Sequence, residues 1–231
     1  MKMDDFVLVS VDDHLVEPPD MFEGHIQEKY KDDVPKLIQR EDGTDVWVYQ
    51  DAEIPNIGLN AVAGRPPEEY NIEPTSYDMI RAGCYDIHER IKDMNRNGVL
   101  GSMCFPSFVQ FCGQLFARTE DKELAIAMLR AYNDWHIDEW CGTYPGRMVP
   151  FALPPIWDPQ LMAEEVRRVA KRVATRSRSR RTRTSWGGRT SSATTGTRSS
   201  PRARTRARSS ACTSGRRRRR SRSRPAPRST S

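Results

Sequence analysis

Apolar positions form short, regularly spaced segments through the first 172 residues and then almost vanish. Phe6-Val7-Leu8-Val9-Ser10-Val11 is a β-branched run that predicts a buried strand, and its apolar character stops at Asp12-Asp13-His14. From Glu17 to about Gly83 the chain is rich in Pro, Asp, Glu and Asn, yet aromatic and aliphatic residues recur through it. That mixture predicts an ordered insertion, with a hairpin strand at Val46-Trp47-Val48-Tyr49 after the turn Asp42-Gly43.

Regular alternation begins after Gly83. Tyr85 to Arg96 predicts a helix, with Ile87, Ile91 and Met94 at 3–4 spacing and Asn97-Gly98 as its stop. Val99 to Phe105 predicts a strand closed by Pro106. Asp121 to Trp140 predicts a longer helix with Leu124, Met128, Tyr132 and Trp135 on one face, ended by Gly142 and Pro145-Gly146. Arg147 to Leu153 predicts a third strand interrupted by Pro150, and Asp158 caps a helix running through Leu161, Ala163, Val166 and Ala170 to Arg172. Strands alternating with helices at this spacing argue for βαβ units on a parallel sheet, so the fold class is α/β.

Composition divides the chain in two. Residues 1–172 hold 18 Lys+Arg and all 31 Asp+Glu, a net charge of −13; residues 173–231 hold 19 Arg and no acid, so the overall +6 describes neither part. Arg, Ser and Thr make up 43 of those last 59 residues, and Leu, Ile, Met, Phe, Tyr and Lys are absent from them. Such a segment cannot bury enough apolar surface to offset the entropy of ordering it, so 173–231 is expected to be a disordered tail. The chemistry is expected in 1–172. No apolar run approaches the roughly 20 residues that span a bilayer. The start of the chain lacks the basic and apolar regions of a secretory signal. Five cysteines without CxxC spacing read as reduced thiols, which points to the cytoplasm and away from membranes.

The strongest candidate chemistry is Asp12-Asp13-His14 at the C-terminal end of the first strand, where parallel α/β folds place ligands. Positions i and i+2 of a strand point the same way, so Asp12 and His14 can converge on one ion, and a carboxylate with an imidazole suits zinc or a similar divalent metal. The plainer reading has Asp12 and Asp13 capping a loop and His14 as an ordinary, partly exposed histidine. His136 in DWHIDEW cannot meet Asp138 across a helix, because i and i+2 diverge, and it reads as part of a helix rather than a ligand. His25 and His88 have no partners at ligand spacing, and Tyr132, Trp135 and Trp140 read as core. No Gly-rich phosphate loop, GxSxG or Walker pattern occurs.

The stretch VDDHLVEPPDMF resembles the opening of the amidohydrolase-related family that includes aminocarboxymuconate-semialdehyde decarboxylase. YDIHERIKDMNRNGV, SMCFPS and AYNDWHIDEWCGTYPGRMVPFALPPIWDP resemble the same family in the same order, over about residues 6–172. The resemblance implies a metal-dependent (β/α)8 TIM barrel that hydrolyses or decarboxylates small organic acids and related compounds. It places Asp12 and His14 on the family's first-strand metal pair, with Asp12 where many members have His, and it implies a divalent metal, zinc foremost. Histidines from later strands and a late Asp complete such sites, yet no histidine follows His136. A full barrel needs about 250 residues. The expected organisation is therefore the N-terminal portion of a barrel over 1–172, about three βα units plus the long insertion after strand 1. The expected partners are a small-molecule substrate and, through a large inserted loop, a second copy of the chain; no catalytic residue is assigned. An open piece of barrel is expected to be inactive.

Two origins account for the basic tail. Under CGN codons for Arg and TCN for Ser, Arg176-Ser177-Arg178-Ser179-Arg180 moved back one nucleotide reads small–apolar–small–apolar–small, the pattern of a strand. A frameshift near codons 172–174 is the favoured expectation. The alternative is a basic-tailed nucleic-acid-binding protein, in which runs such as Arg216 to Arg220 bind polyanions through charge. Non-specific polyanion binding follows from either origin.

Overall fold

The β-branched start of the chain forms β1 (Leu8–His14), which pairs in parallel with β5 (Val99–Phe105). The computed structural model describes residues 6–58, 61–70 and 74–184, of which 176–184 by backbone alone. The chain divides into one unit over Met1–Gly188 and a second over Arg189–Ser231. The second unit, which holds most of the expected disordered tail and Cys212, lies outside the described residues.

The β1–β5 ladder starts at Leu8↔Val99 and ends at His14↔Phe105, with an irregularity between Ser10 and Asp13 where β1 carries one residue more than its partner. The Asp-Asp-His triplet thus lies inside the strand rather than beyond it. β1 is also not the buried strand that its sequence predicts: Leu8 and Val11 are 54% and 62% exposed, as is Phe6 just before it at 64%. The physical reason is that, among the described residues, only β5 pairs with β1, so neither β1's outer edge nor these side chains are covered.

The insertion is ordered, as its scattered apolar residues predict. It forms an antiparallel three-stranded sheet of β2 (Lys36–Gln39), β3 (Asp45–Tyr49) and β4 (Ala52–Ile54) in that order. Trp47 and Ile57 are fully buried, and the Trp47 ring stacks on Phe108 with centroids 4.4 Å apart, which ties the insertion to the loop after β5.

Helix α1 (Ile87–Arg96) is capped by the Asp86 carboxylate, which accepts from the backbone N–H groups of His88 and Glu89. It buries Ile91 and Met94 and stops at Gly98, whose φ of +67° suits the left-handed exit from a helix. A short helix α2 (Gln114–Arg118) has no counterpart in the sequence reading. Helix α3 (Lys122–Trp135), capped by Asp121, is shorter than its apolar face predicts, because His136–Trp140 forms a wider π turn. Helix α4 (Pro159–Thr184), capped by Asp158 through the N–H groups of Gln160 and Leu161, continues twelve residues past Arg172.

The predicted third strand at 147–153 does not form. Its pairing is confined to Met148, which bridges Ser102 through the Arg147 carbonyl and the Val149 N–H at 2.9 and 2.8 Å. Pro150 has no N–H to extend that ladder. Further on, Leu153 gives its N–H to Asn133 Oδ1 at 2.8 Å and takes the Asn133 amide on its carbonyl at 3.0 Å. A buried side chain therefore replaces the missing strand partner. No helix among the described residues is long and apolar enough to cross a membrane.

Candidate active site at the strand ends

Parallel pairing brings the C-terminal ends of β1 and β5 to one edge, and the three residues of the triplet do different things there. Asp12, within the irregular stretch of β1, and His14 at its end are both exposed. Asp13 is partly buried, and its carboxylate accepts from Ser10 Oγ at 2.7 Å and from Ser102 Oγ, so it binds the two strands together. The His14 carbonyl accepts from the Arg90 guanidinium, and the His14 ring lies 6.1 Å from that of Phe105.

Just past the strand lies a residue that the sequence reading missed. Glu17 is fully buried, and its two carboxylate oxygens accept the backbone N–H groups of Ser107 and Phe108 at 3.0 and 2.9 Å. Ser107 Oγ donates to the Leu15 carbonyl at 2.7 Å, and Tyr77 OH donates to the Glu17 carbonyl at 2.5 Å. Burial pushes the Glu17 carboxyl up to about 7 against the opposing pull of those N–H bonds. A carboxyl near 7 suits proton transfer, but both oxygens are occupied and no surface is exposed, so its role is to hold the loops after β1 and β5 together. The signal in the sequence was a single acid inside the apolar text Leu15-Val16-Glu17-Pro18-Pro19.

The other histidines are accounted for locally. His136 is buried on the π turn, 4.4 Å from the Phe151 ring and 3.7 Å from Cys141 Sγ, and desolvation pushes it down to about 3, so it stays neutral. His25 Nε2 meets Glu139 Oε1 at 2.6 Å and His88 Nδ1 meets Tyr144 OH at 2.8 Å, partners too distant in sequence for spacing to reveal. Cys84, Cys104, Cys112 and Cys141 are free thiols.

Asp12 and His14 supply an oxygen and a nitrogen donor of the right kind for a divalent ion, but a catalytic zinc takes three protein ligands. Among the described residues no group of three His, Cys, Asp or Glu side chains is arranged to hold a metal. The donors present do not complete a metal site. Concavities among the described residues lie elsewhere. One of about 830 Å³ lies in the insertion between Phe22, Ile26 and Leu37, and one of about 250 Å³ lies between Asp20, His88 and Glu139; neither is lined by Asp12 or His14.

No curated protein matches the chain. Among solved structures, it is similar to a crystal structure of an amidohydrolase from Mycobacterium avium subsp. paratuberculosis K-10, at 21% identity and a TM-score of 0.54. That likeness covers 73% of this chain and 47% of the other, so the chain spans about half the length of the solved relative. The sequence pattern of the amidohydrolase family matches residues 45–189, a span that starts after Asp12 and His14 and runs past Arg172. The chain belongs to the amidohydrolase family.

Proposed function

We propose that the chain carries the N-terminal portion of a metal-dependent (β/α)8 enzyme, a hydrolase or carboxy-lyase acting on a small organic acid or related compound. The observation that carries this reading is the parallel β1–β5 pair with Asp12 and His14 exposed at its C-terminal end, the edge where barrel enzymes build their sites. In this reading β1 and β5 are the first two barrel strands and Met148 marks the start of the third. Asp12 and His14 are two donors of a divalent site, zinc foremost, which later strands complete. The bound ion would polarise substrate or activate water. What this chain's own residues do is positional. Asp13 locks β1 to β5 through Ser102, and Glu17 fixes the loops that follow both strands.

With two donors and an open β1 edge, the chain as written turns over no substrate and binds zinc weakly. The rest of the site is expected in another reading frame of the same coding DNA, entered near codons 172–174. Translating all three frames from codon 165 onward tests this: a neighbouring frame with a strand, later histidines and a late Asp supports it, and no such frame overturns it. Stoichiometric zinc binding with turnover by the 231-residue chain overturns its inactivity. In the frame-restored protein, metal binding that survives Asp12→Asn combined with His14→Asn overturns the assigned ligands.

A further inference from the structure

Helix α4 is one continuous element with two unlike halves. In the first, Arg168 meets Glu165 and Asp134 at 2.7 Å, and Arg172 meets Asp134 at 3.2 Å and also Asp138. Arg168 and Arg172 thus dock α4 on α3. Glu165 is the last acid in the sequence, and the same helix then carries Arg176, Arg178, Arg180, Arg181 and Arg183. We propose that the C-terminal end of α4, residues 176–184, binds the phosphodiester backbone of nucleic acid without reading sequence.

Charge density favours this occupant. Five cations over nine residues at a rise of about 1.5 Å give one charge per roughly 2.7 Å of helix, comparable with one phosphate charge per about 1.7 Å of duplex axis. Arg176, Arg180 and Arg183 recur at spacings of four and three, which is one stripe of a helix. Every cation after Lys171 is Arg, whose planar fork matches phosphate oxygens bidentately. A membrane surface is the weaker fit, since an interfacial helix needs an apolar face, and 176–184 contains only Arg, Ser and Thr. The acidic body, net −13 over 1–172, disfavours such binding elsewhere on that part of the chain.

The test is fluorescence anisotropy of the full chain with a labelled 20-base-pair duplex of random sequence, titrated between about 50 and 200 mM salt. Arg176→Gln, Arg180→Gln and Arg183→Gln are combined in a variant with the rest of the chain intact. Gln is nearly as good a helix former as Arg, and circular dichroism checks that helicity is kept. Binding is expected to weaken steeply with salt, and the variant's log–log slope to be shallower by about 3, one charge's worth per arginine removed. Three results overturn the proposal: no duplex binding at the lowest salt, a slope unchanged in the variant, or tighter binding to phosphatidylserine vesicles than to duplex at equal phosphate.

Discussion

Glu17 and Phe108 are joined by a carboxylate-to-backbone hydrogen bond of 2.9 Å across 91 positions of sequence, both residues being buried. Because the folded-state pKa rises from 4.5 to about 7, the native state binds the proton more tightly than the unfolded chain. The sign follows: Glu17 costs nothing below about pH 4.5, and stability falls as pH rises from there through about 7. Urea unfolding of the wild-type chain is expected to show that decline. Glu17→Gln is expected to flatten it while costing about 1–3 kcal/mol at low pH, because the Gln amide cannot accept both N–H donors. An unchanged pH profile in the variant contradicts the assignment.

His136 acts at the other end of the scale. Its folded pKa of about 3 lies below the ordinary 6.5, so the unfolded chain binds the proton first as pH falls. Its contribution is intact above 6.5 and is lost progressively between 6.5 and 3. His136→Phe, which preserves the ring against Phe151, is expected to shift acid unfolding to lower pH, as read by tryptophan fluorescence.

The seam between α3 and α4 depends on Glu165, whose side chain accepts from Asn133, Arg168 and Arg130 at 2.8, 2.7 and 3.2 Å. Burial alone would raise its pKa, but the Arg168 and Asn133 bonds outweigh burial and hold it below the usual carboxylate range. Glu165→Ala takes the buried carboxylate from Asn133, Arg130 and Arg168, of which Arg168 keeps Asp134, and is expected to cost about 3 kcal/mol. Asn133→Ala frees the Leu153 backbone on both sides and should cost about 2 kcal/mol. Denaturant midpoints measure both, and a loss below 1 kcal/mol for Glu165→Ala counts against a structural role for the seam.

Val9 and Val11 are exposed apolar side chains on β1, which pairs on one side only among the described residues, the setting in which strands pair between molecules. Val9→Lys with Val11→Lys is expected to reduce concentration-dependent light scattering of the purified chain. Scattering that does not change would locate self-association elsewhere.

Helices α1, α3 and α4 were legible because their signals are local, whereas the five-residue α2 was not. Asp86, Asp121 and Asp158 each stand one residue before a helix and bond its first free N–H groups, and the apolar spacing of Ile91 and Met94 gives α1 its buried face. The strands were less legible, since a strand's burial depends on neighbours. The same β-branched text that builds a barrel's centre leaves Leu8 and Val11 in water when only β5 is beside it. Residues 147–153 alternate like a strand, but Pro150 and Asn133 divert their backbone groups. Glu17 was invisible because Ser107 and Phe108, which make it useful, lie 90 and 91 positions away. Asp13 looked like one of a pair of loop caps and proved to be a cross-strand tie.

The π turn at His136–Trp140 makes chain length a matter of phase. A turn closed one residue later than the α-helical one amounts to a single insertion, and it rotates everything downstream by about 100° relative to an uninterrupted helix. Deleting one residue there would restore regular helix and carry Trp140 off the face it now buries. It would also swing the lead into Arg147 away from Ser102, the residue that Met148 bridges. The spacing of the chain, as much as its chemistry, sets where its third segment meets the sheet.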